Sequence, residues 1–330
     1  AQSRQQRKGA LHNPGSGFPR RIGGLPVHLL IIRPGALGDT LILVPALAAL
    51  HGICRVTVAG RRPGIVFIRS YTEACLDMEG TGWHRLFQKT PHGEVLPVRR
   101  PDVAVAFFKD ESGVIRRNLE AYFPDAKVFV YSSLPAREEP VHTALYVCRK
   151  LRSAGLPLDP EQALSQAFAR PLLGEASPPS GKDAIVIHPG SGDPAKNHPL
   201  DVWQRLLDEL RHEDPFPYLD TIWLLGPAEA SMSPLLKQSG PAKNNSVLFC
   251  PENDALKTLL RRAALYLGHD SGVTHLAAML GAPTLALFRA SDARQWKPLG
   301  PRVAILEDMC PVSRLIQRAA ACARALVSST

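Results

Sequence analysis

Short runs of consecutive apolar residues recur along the whole chain, and most of them end in Gly, Pro or Asp. These runs are rich in Val, Ile and Leu, which is typical of strands buried on both faces of a parallel sheet. The pattern predicts strands at 28–35, 55–60, 102–108 and 127–132 in the first half, and at 184–190, 221–227, 246–251, 265–270, 283–288 and 302–306 in the second.

Segments with helical periodicity lie between several of these runs, at 39–52, 199–214, 254–264 and 272–282. The segment 199–214 begins with Pro and Asp, which are favoured at the start of a helix. Because strands and helices alternate, the sequence predicts an α/β protein whose strands form doubly wound parallel sheets.

The length of 330 residues exceeds what one ordinary core accommodates, so two domains are predicted. The segment 155–183 contains five prolines and no strand-like run, and it is interpreted as the bridge. The last helix either closes the second domain or returns to the first. The predicted parts are a flexible basic N-terminal arm (1–24), a first domain (25–165), a linker (166–182), a second domain (183–310) and a C-terminal helix (311–330).

The composition narrows the class of partner. Lys plus Arg number 39 and Asp plus Glu number 30, which gives a formal net charge of +9. This charge favours anionic partners such as phosphates or an acidic membrane surface. The alternative is that the basic side chains only form a solvated surface. Aromatic residues make up 6% and form no basic stripe, so no nucleic-acid partner is expected. No apolar run reaches the ~20 residues of a membrane span, and the N-terminus lacks the apolar core of a secretion signal. Six scattered cysteines indicate reduced thiols, so we expect a cytoplasmic protein.

In open α/β sheets, ligands bind beyond the carboxyl ends of the strands, so the loops that follow strands are the candidate ligand-binding segments. The loop "RPGALGDTLILVPAL" (33–47) brings Asp39 to the start of a helix. There the carboxylate either caps the helix or acts as a general base at the mouth of a cleft. The loop lacks G-x-G-x-x-G, so a dinucleotide site is not supported.

The loop "HPGSGDPAKNHPLDVW" (188–203) combines two glycines with Ser191 and Lys196. Gly190 and Gly192 allow main-chain N–H groups to approach an anion closely, and the hydroxyl and the cation complement them. This combination favours a phosphate site over a solvent-exposed loop with a chance lysine.

Two further loops carry candidate residues. Glu229 follows the strand-like run "WLLGP" at a position from which a carboxylate can bind ribose hydroxyls, although Glu is also favoured there by the helix dipole. Asp270, Ser271 and Gly272 precede a helix whose free N–H groups suit a diphosphate, and His275 lies early in that helix. A histidine at such a position is more often a packed or surface residue.

The chain contains no D-x-D motif and no His/Cys/Asp cluster with the spacing of metal ligands. No metal or other cofactor is therefore expected. A bound diphosphate would be neutralised by Lys196, main-chain amides and the helix that begins after Asp270.

The motifs "GALGDTLILVPAL", "HPGSGDPAKNHPLDVW", "LLGPAEA" and "GHDSGVTHLAAMLGAPTLALF" occur in the order seen in the heptosyltransferase family. The chain resembles these ADP-heptose:lipopolysaccharide transferases, glycosyltransferase family 9, over residues 28–306. The resemblance implies a GT-B fold, in which two Rossmann-like domains face each other across a cleft. It also implies inverting, metal-independent sugar transfer, with the acceptor mainly on the first domain and the nucleotide sugar on the second.

The resemblance also assigns roles to individual residues. Asp39 matches the catalytic base. The residues that match the donor-binding positions are Ser191, Gly192, Lys196, Glu229, Asp270, Ser271, Gly272 and His275. In one departure, His198-Pro199 stands where the family usually has Trp-Pro.

The function expected from the resemblance is transfer of heptose from ADP-heptose to a hydroxyl group of a lipopolysaccharide-core or related glycan. An anionic acceptor requires basic side chains, and Arg61, Arg62 and Lys109 of the first half are the candidates. Peripheral contact with the inner face of the cytoplasmic membrane is a further expectation. Two alternatives stay open: an NDP-sugar epimerase of similar fold, and a non-catalytic protein that binds nucleotide sugars.

Overall fold

The computed structural model describes residues 21–22, 25–89, 95–136, 138–174, 184–238, 245–308 and 310–328. These residues form two parallel sheets with helices packed against them, so the predicted α/β class is confirmed. The predicted N-terminal arm lies outside the described residues except for Arg21–Ile22 (β1), which pairs with Leu25–Pro26 (β2) in an antiparallel ladder.

The first sheet has five parallel strands in the order β5-β4-β3-β6-β7. Its strands are β3 (His28–Ile32), β4 (Arg55–Gly60), β5 (Ala74–Asp77), β6 (Val103–Phe107) and β7 (Lys127–Tyr131). The helices of this half are α1 (Leu37–Leu41), α2 (Val44–Leu50), α3 (Gly64–Phe67), α4 (Val114–Tyr122), α5 (Thr143–Ser153) and α6 (Pro160–Ala169).

The second sheet has six parallel strands in the order β10-β9-β8-β11-β12-β13. Its strands are β8 (Ala184–His188), β9 (Asp220–Leu225), β10 (Asn245–Phe249), β11 (Ala263–His269), β12 (Thr284–Phe288) and β13 (Val303–Glu307). The helices of this half are α7 (Leu200–Leu210), α8 (Met232–Gln238), α9 (Asn253–Arg262), α10 (Gly272–Met279), α11 (Ala293–Trp296) and α12 (Val312–Ser328).

The cores follow from the alternation of side chains along the strands. Leu29 and Ile31 of β3 point to one face of the first sheet, and Leu30 and Ile32 point to the other. The core on the Leu29 face includes α2 and α5, and it continues without a break to Leu276 and its neighbours in the second half. The two domains therefore share one apolar core behind the cleft between them.

The segment 39–52, predicted as one helix, is two short helices. Pro45 lies in the first turn of α2, and Leu41, four residues before it, is the last residue of α1. Because proline cannot donate a main-chain hydrogen bond and its ring clashes with the carbonyl group four residues earlier, the first helix ends there. This break keeps α1 short and leaves its first turn, with Asp39, at the carboxyl end of β3.

The predicted bridge is partly helical, because α6 lies within it and packs against α2 and α5 of the first domain. The chain then reaches the second domain, where the Leu173 main-chain N–H donates to Met279 O at 3.0 Å. Residues 175–183 of the predicted bridge lie outside the described residues. The last helix, α12, packs against α7 and the strands of the second sheet, so it closes the second domain.

Candidate active site

A cleft lies between the two sheets, at the carboxyl ends of their strands. In each sheet the strand order reverses between two neighbours, β3 and β6 in the first and β8 and β11 in the second. Ligands of open α/β sheets bind at such switch points. The cavity has a volume of about 490 Å³. Its walls come from loops of both domains: Arg33, Pro34, Gly35, Ala36, Gly38, Asp39, Phe107, Phe108, Ser133 and Leu134 of the first, and Gly192, Asp193, Lys196, Asp270, Ser271, Gly272, His275 and Trp296 of the second.

Asp39 lies in the cavity wall as the third residue of α1, not as its N-cap, which is Ala36. Its Oδ2 accepts a hydrogen bond from the Ala36 main-chain N–H at 3.2 Å. Its Oδ1 accepts one from Arg33 Nη2 at 3.1 Å, and the side chain remains 31% exposed. The carboxylate therefore both caps the helix and is accessible from the cavity.

Two side chains near Asp39 make the first-domain wall apolar. Phe108 follows β6 and packs edge-on against Phe87, with ring centroids 5.7 Å apart. Leu134 follows β7, lines the same cavity and is 43% exposed. An acceptor molecule that reaches Asp39 would therefore contact a largely apolar surface on this side.

On the facing wall, Lys196 forms an ion pair with Asp270. Lys196 Nζ lies 2.7 Å from Asp270 Oδ2, and His275 Nε2 lies 3.5 Å from Asp270 Oδ1. Burial would raise the pKa of Asp270, but His275 and Lys196 together lower it to about 2. Asp270 is therefore a buried anion that fixes the lysine ammonium group at the cavity wall.

The first turn of α10 completes this wall. Ser271, not Asp270, is the N-cap, because its Oγ accepts from the Thr274 main-chain N–H at 3.3 Å. Gly272 then meets α1 of the other domain, and a Cβ atom added to it would lie 2.8 Å from Gly38 N. The glycine thus allows the first turns of two helices to meet across the cleft.

Two predicted donor-binding residues do not line the cavity. The Ser191 hydroxyl lies 2.7 Å from Asn197 Oδ1 and 2.8 Å from Asp193 O, so it stabilises its own loop. The Glu229 carboxylate accepts from the Gly226 main-chain N–H at 2.8 Å and lies directly against Gly190, where it would overlap any added Cβ atom. Burial would raise the pKa of Glu229, but His188 and main-chain N–H groups lower it. The direct contacts of Ser191 and Glu229 with a ligand stay predictions.

His198, at which the chain departs from the family pattern, lies beneath the Lys196 loop. The His198 and His269 rings are stacked with centroids 5.3 Å apart, and Trp203 packs edge-on against His269. The His198 main-chain N–H donates to His269 Nε2 at 2.8 Å. Burial lowers the pKa of His269 to about 3, so His269 is neutral and packs the loop against β11.

The three residues predicted for acceptor binding lie outside this cavity. Arg61 and Arg62 form ion pairs with Glu79 and Asp77 respectively, and Lys109 Nζ lies 2.9 Å from Glu111 Oε1. All three basic side chains are more than half exposed. Their role in acceptor binding stays a prediction.

Sequence reasoning missed several residues of the cavity wall, including Arg33, Trp296, Phe108 and Leu134. Arg33 was identified only as the end of a strand, although it contacts Asp39. Trp296 lies 6.5 Å from the His275 ring, centroid to centroid, and no local motif marks it. The signal for Arg33 was a charged residue directly after a fully apolar strand, where a buried cation requires a partner.

Two kinds of feature are absent from the described residues. Within those ranges, no group of three His, Cys, Asp or Glu side chains is arranged to hold a metal ion. No described helix combines the length and the apolar character needed to cross a membrane.

Comparison with known families gives one match. The family described as glycosyltransferase family 9 (heptosyltransferase) matches residues 133–318, which is more than half of the chain. None of the curated proteins matches the sequence.

Several solved structures share the fold. A family 9 glycosyltransferase from Veillonella parvula DSM 2008 superimposes with a TM-score of 0.67 at 14% identity, covering 92% of this chain and 98% of that one. E. coli heptosyltransferase WaaC with ADP superimposes with a TM-score of 0.64 at 14% identity, covering 90% of this chain and 100% of that one. For E. coli ADP-heptose LPS heptosyltransferase II the TM-score is 0.63 at 16% identity, and the superposition covers 92% of this chain and 99% of that one. The expected GT-B architecture, two Rossmann-like domains facing across a cleft, is confirmed.

Proposed function

The chain belongs to glycosyltransferase family 9, the heptosyltransferase family, and from this premise we propose that it transfers heptose from ADP-heptose to a hydroxyl group of a lipopolysaccharide-core or related glycan. Glycosyl transfer itself follows from the family. The choice of donor is supported by E. coli WaaC, which has been solved with ADP and with ADP-2-deoxy-2-fluoro heptose.

The observation that carries the proposal is the placement of Asp39 and Lys196 in one cavity, on walls contributed by different domains. A transferase of this kind requires a group that removes the acceptor proton and a group that stabilises the leaving diphosphate. Asp39 is accessible and is paired with Arg33, and Lys196 is held by Asp270. The two requirements are thus met from opposite sides of the space that a sugar would occupy.

In the proposed reaction, the acceptor hydroxyl transfers its proton to the Asp39 carboxylate while its oxygen forms a bond to the anomeric carbon. The bond from that carbon to the diphosphate oxygen breaks, and the electron pair leaves with ADP. Because the acceptor attacks from the face opposite the leaving group, the anomeric configuration inverts. The transition state places growing negative charge on the diphosphate, where Lys196 and the first turn of α10 stabilise it.

Five donor-side residues that line the cavity are proposed to contact the diphosphate directly: Gly192, Lys196, Ser271, Gly272 and His275. Asp270, which also lines the cavity, is proposed to take part in donor binding by holding Lys196 in place. For Ser191 and Glu229 we propose contacts with the donor that require the Gly190–Gly192 loop to adjust on binding, since both side chains are now hydrogen-bonded within the protein. We further propose that no divalent metal takes part, because the lysine and the helix N-terminus supply the positive charge.

The acceptor is proposed to reach Asp39 over Phe108 and Leu134. Arg61, Arg62 and Lys109 are proposed to bind anionic groups of the acceptor farther from the reacting hydroxyl, after exchanging their present carboxylate partners. Since the proposed acceptor is a glycolipid and the net charge is +9, we also propose that the protein acts at the inner face of the cytoplasmic membrane.

An assay of ADP release tests the proposal. The purified protein is incubated with ADP-heptose, with and without a heptose-deficient lipopolysaccharide core, and with UDP- and GDP-sugars as matched controls. We expect ADP only when ADP-heptose and acceptor are both present, an inverted anomeric linkage by NMR, and an unchanged rate in EDTA.

The two alternative functions predict other results in the same assay. An epimerase would interconvert the sugar without acceptor, and a non-catalytic protein would bind the donor without releasing ADP. Either result would refute sugar transfer by this chain.

A further inference from the structure

Arg33 is a charged residue of the cavity wall that the proposed reaction does not use. Its side chain is 2% exposed, although a guanidinium group is costly to remove from water. Burial lowers the pKa of Arg33, and the Asp39 carboxylate opposes this shift. A buried cation of this kind is stable only where fixed acceptors surround it.

Two hydrogen bonds of the Arg33 side chain go to Asp39. Arg33 Nε donates to the main-chain carbonyl of Asp39 at 2.8 Å, and Nη2 donates to Asp39 Oδ1 at 3.1 Å. Because the guanidinium group is planar and rigid, these two contacts together fix the carboxylate relative to its own main chain. The rotation of the Asp39 side chain is therefore restricted before any substrate binds.

The remaining contacts fix the guanidinium group itself. Nη1 donates to Ser133 O at 2.9 Å, in the loop after β7. The Arg33 guanidinium carbon also lies 5.3 Å from the centroid of the Phe107 ring at the end of β6. Arg33 is thus held by the loops that follow two other strands, and it transmits their positions to Asp39.

We propose that Arg33 is a positioning residue for Asp39, which holds the proton-accepting carboxylate in its reactive orientation. This inference rests on the proposed function. Asp39 Oδ2 is held by the Ala36 main-chain N–H, and each carboxylate oxygen can accept a second hydrogen bond, from the acceptor hydroxyl. Arg33 exchanges no proton in the reaction; the proton passes from the acceptor to Asp39.

A purely structural role for Arg33 makes a different prediction. If Arg33 only joins the loops of the first domain, its loss lowers stability but leaves the turnover of the folded fraction unchanged. If it positions Asp39, its loss lowers kcat while ADP-heptose binds as before, because the donor-binding wall belongs to the other domain.

The test compares three variants by kcat, by the KM for ADP-heptose and by thermal unfolding. Arg33→Met removes the charge and the hydrogen bonds, and Arg33→Lys keeps the charge on a single nitrogen. Arg211→Met is the matched control, because Arg211 also binds main-chain carbonyls, of Phe216 and Leu219, but lies outside the cavity.

We expect Arg33→Met to lower kcat by about 100-fold with the KM for ADP-heptose within threefold of wild type. Arg33→Lys should recover part of the loss, and Arg211→Met should lose stability but not turnover. If Arg33→Met does not fold, Arg33→Lys alone decides, and a wild-type kcat in whichever variant folds overturns the inference.

A double-mutant cycle with Asp39→Asn separates this inference from the proposed function. If Arg33 acts through Asp39, Arg33→Met causes less than a threefold further loss in the Asp39→Asn background. Independent, multiplying losses would overturn the positioning role but leave Asp39 as the base. A wild-type protein without transfer activity would instead refute the proposed function, and an Asp39→Asn variant with full activity would refute Asp39 as its base.

Discussion

The two domains meet at Gly272, and the structure predicts that a larger residue at this position lowers the stability of the protein. Replacing Gly272 by Ala adds a Cβ atom 2.7 Å from Leu37 Cβ and 2.8 Å from Gly38 N. Folded proteins do not accommodate contacts this short, and a main-chain atom cannot turn aside as a side chain does. The substitution therefore requires α1 and α10 to move apart.

Two effects of Gly272→Ala oppose each other. Alanine is the better helix former by up to about 1 kcal/mol, and Gly272 is the first residue of α10. Overpacking a close contact costs about 1–3 kcal/mol. We expect the contact to outweigh the helix propensity, with a net loss of roughly 1–2 kcal/mol, which corresponds to a fall in Tm of about 1–3 °C for a chain of 330 residues.

Gly192→Ala is the matched control for stability, because a Cβ atom at Gly192 would meet no atom within 4 Å. The same chemical change should there be neutral or stabilising by up to about 1 kcal/mol, since alanine restricts the unfolded chain. Thermal unfolding of both variants measures the difference directly. A shift of the helices by about 1 Å should also lower the transfer rate of Gly272→Ala by roughly 100-fold.

A Gly272→Ala protein that is as stable and as active as wild type would refute this reasoning. It would mean that the domains do not meet at Gly38 and Gly272 in solution, and that Asp39 and Lys196 are not held on facing walls of one cavity.

Three further predictions concern Lys196, His142 and Phe108. Lys196→Met should lower kcat/KM by about 10²–10³ in steady-state assays and weaken ADP binding in calorimetry, and unchanged values would exclude Lys196 from the diphosphate site. Burial lowers the pKa of His142 from 6.5 to about 4, so between these pH values the unfolded chain takes up a proton that the folded chain does not. The free energy of unfolding should therefore fall by about 3 kcal/mol as the pH is lowered from 6.5 to 4. His142→Asn should remove that part of the pH dependence in urea titrations. Phe108→Ala should raise the acceptor KM about three- to tenfold without changing the KM for the donor, whereas an equal effect on both would argue against an acceptor surface there.

The strands of the fold were predicted where their sequence is continuously apolar. Residues 55–60 and 127–131 are strands within one residue of the prediction, because Val-rich runs buried on both faces have a distinct pattern. The edge strand Ala74–Asp77 was missed, since it has four half-buried residues and no apolar run. The break before Val44–Leu50 was also missed, although Pro45 gave a local signal for it.

The site was predicted where a loop carries its own chemistry. Asp39 and Lys196 follow strands in glycine-containing loops, and both line the cavity as residues of strand-end loops should. The contact of Arg33 with Ser133 joins residues 100 positions apart, so no local pattern contains it. The burial of Glu229 beneath Gly190 likewise depends on how two loops pack.

The most direct test of the central claim is the turnover of Asp39→Asn, which keeps the size of the side chain and removes its ability to accept the proton. Single-turnover transfer is measured with saturating ADP-heptose and acceptor, and donor affinity is measured in parallel by calorimetry. We expect a rate about 10²–10⁴-fold lower than wild type, with the Kd for ADP-heptose within about threefold of the wild-type value. Transfer by Asp39→Asn at the wild-type rate would contradict it and would leave Asp39 as a helix cap.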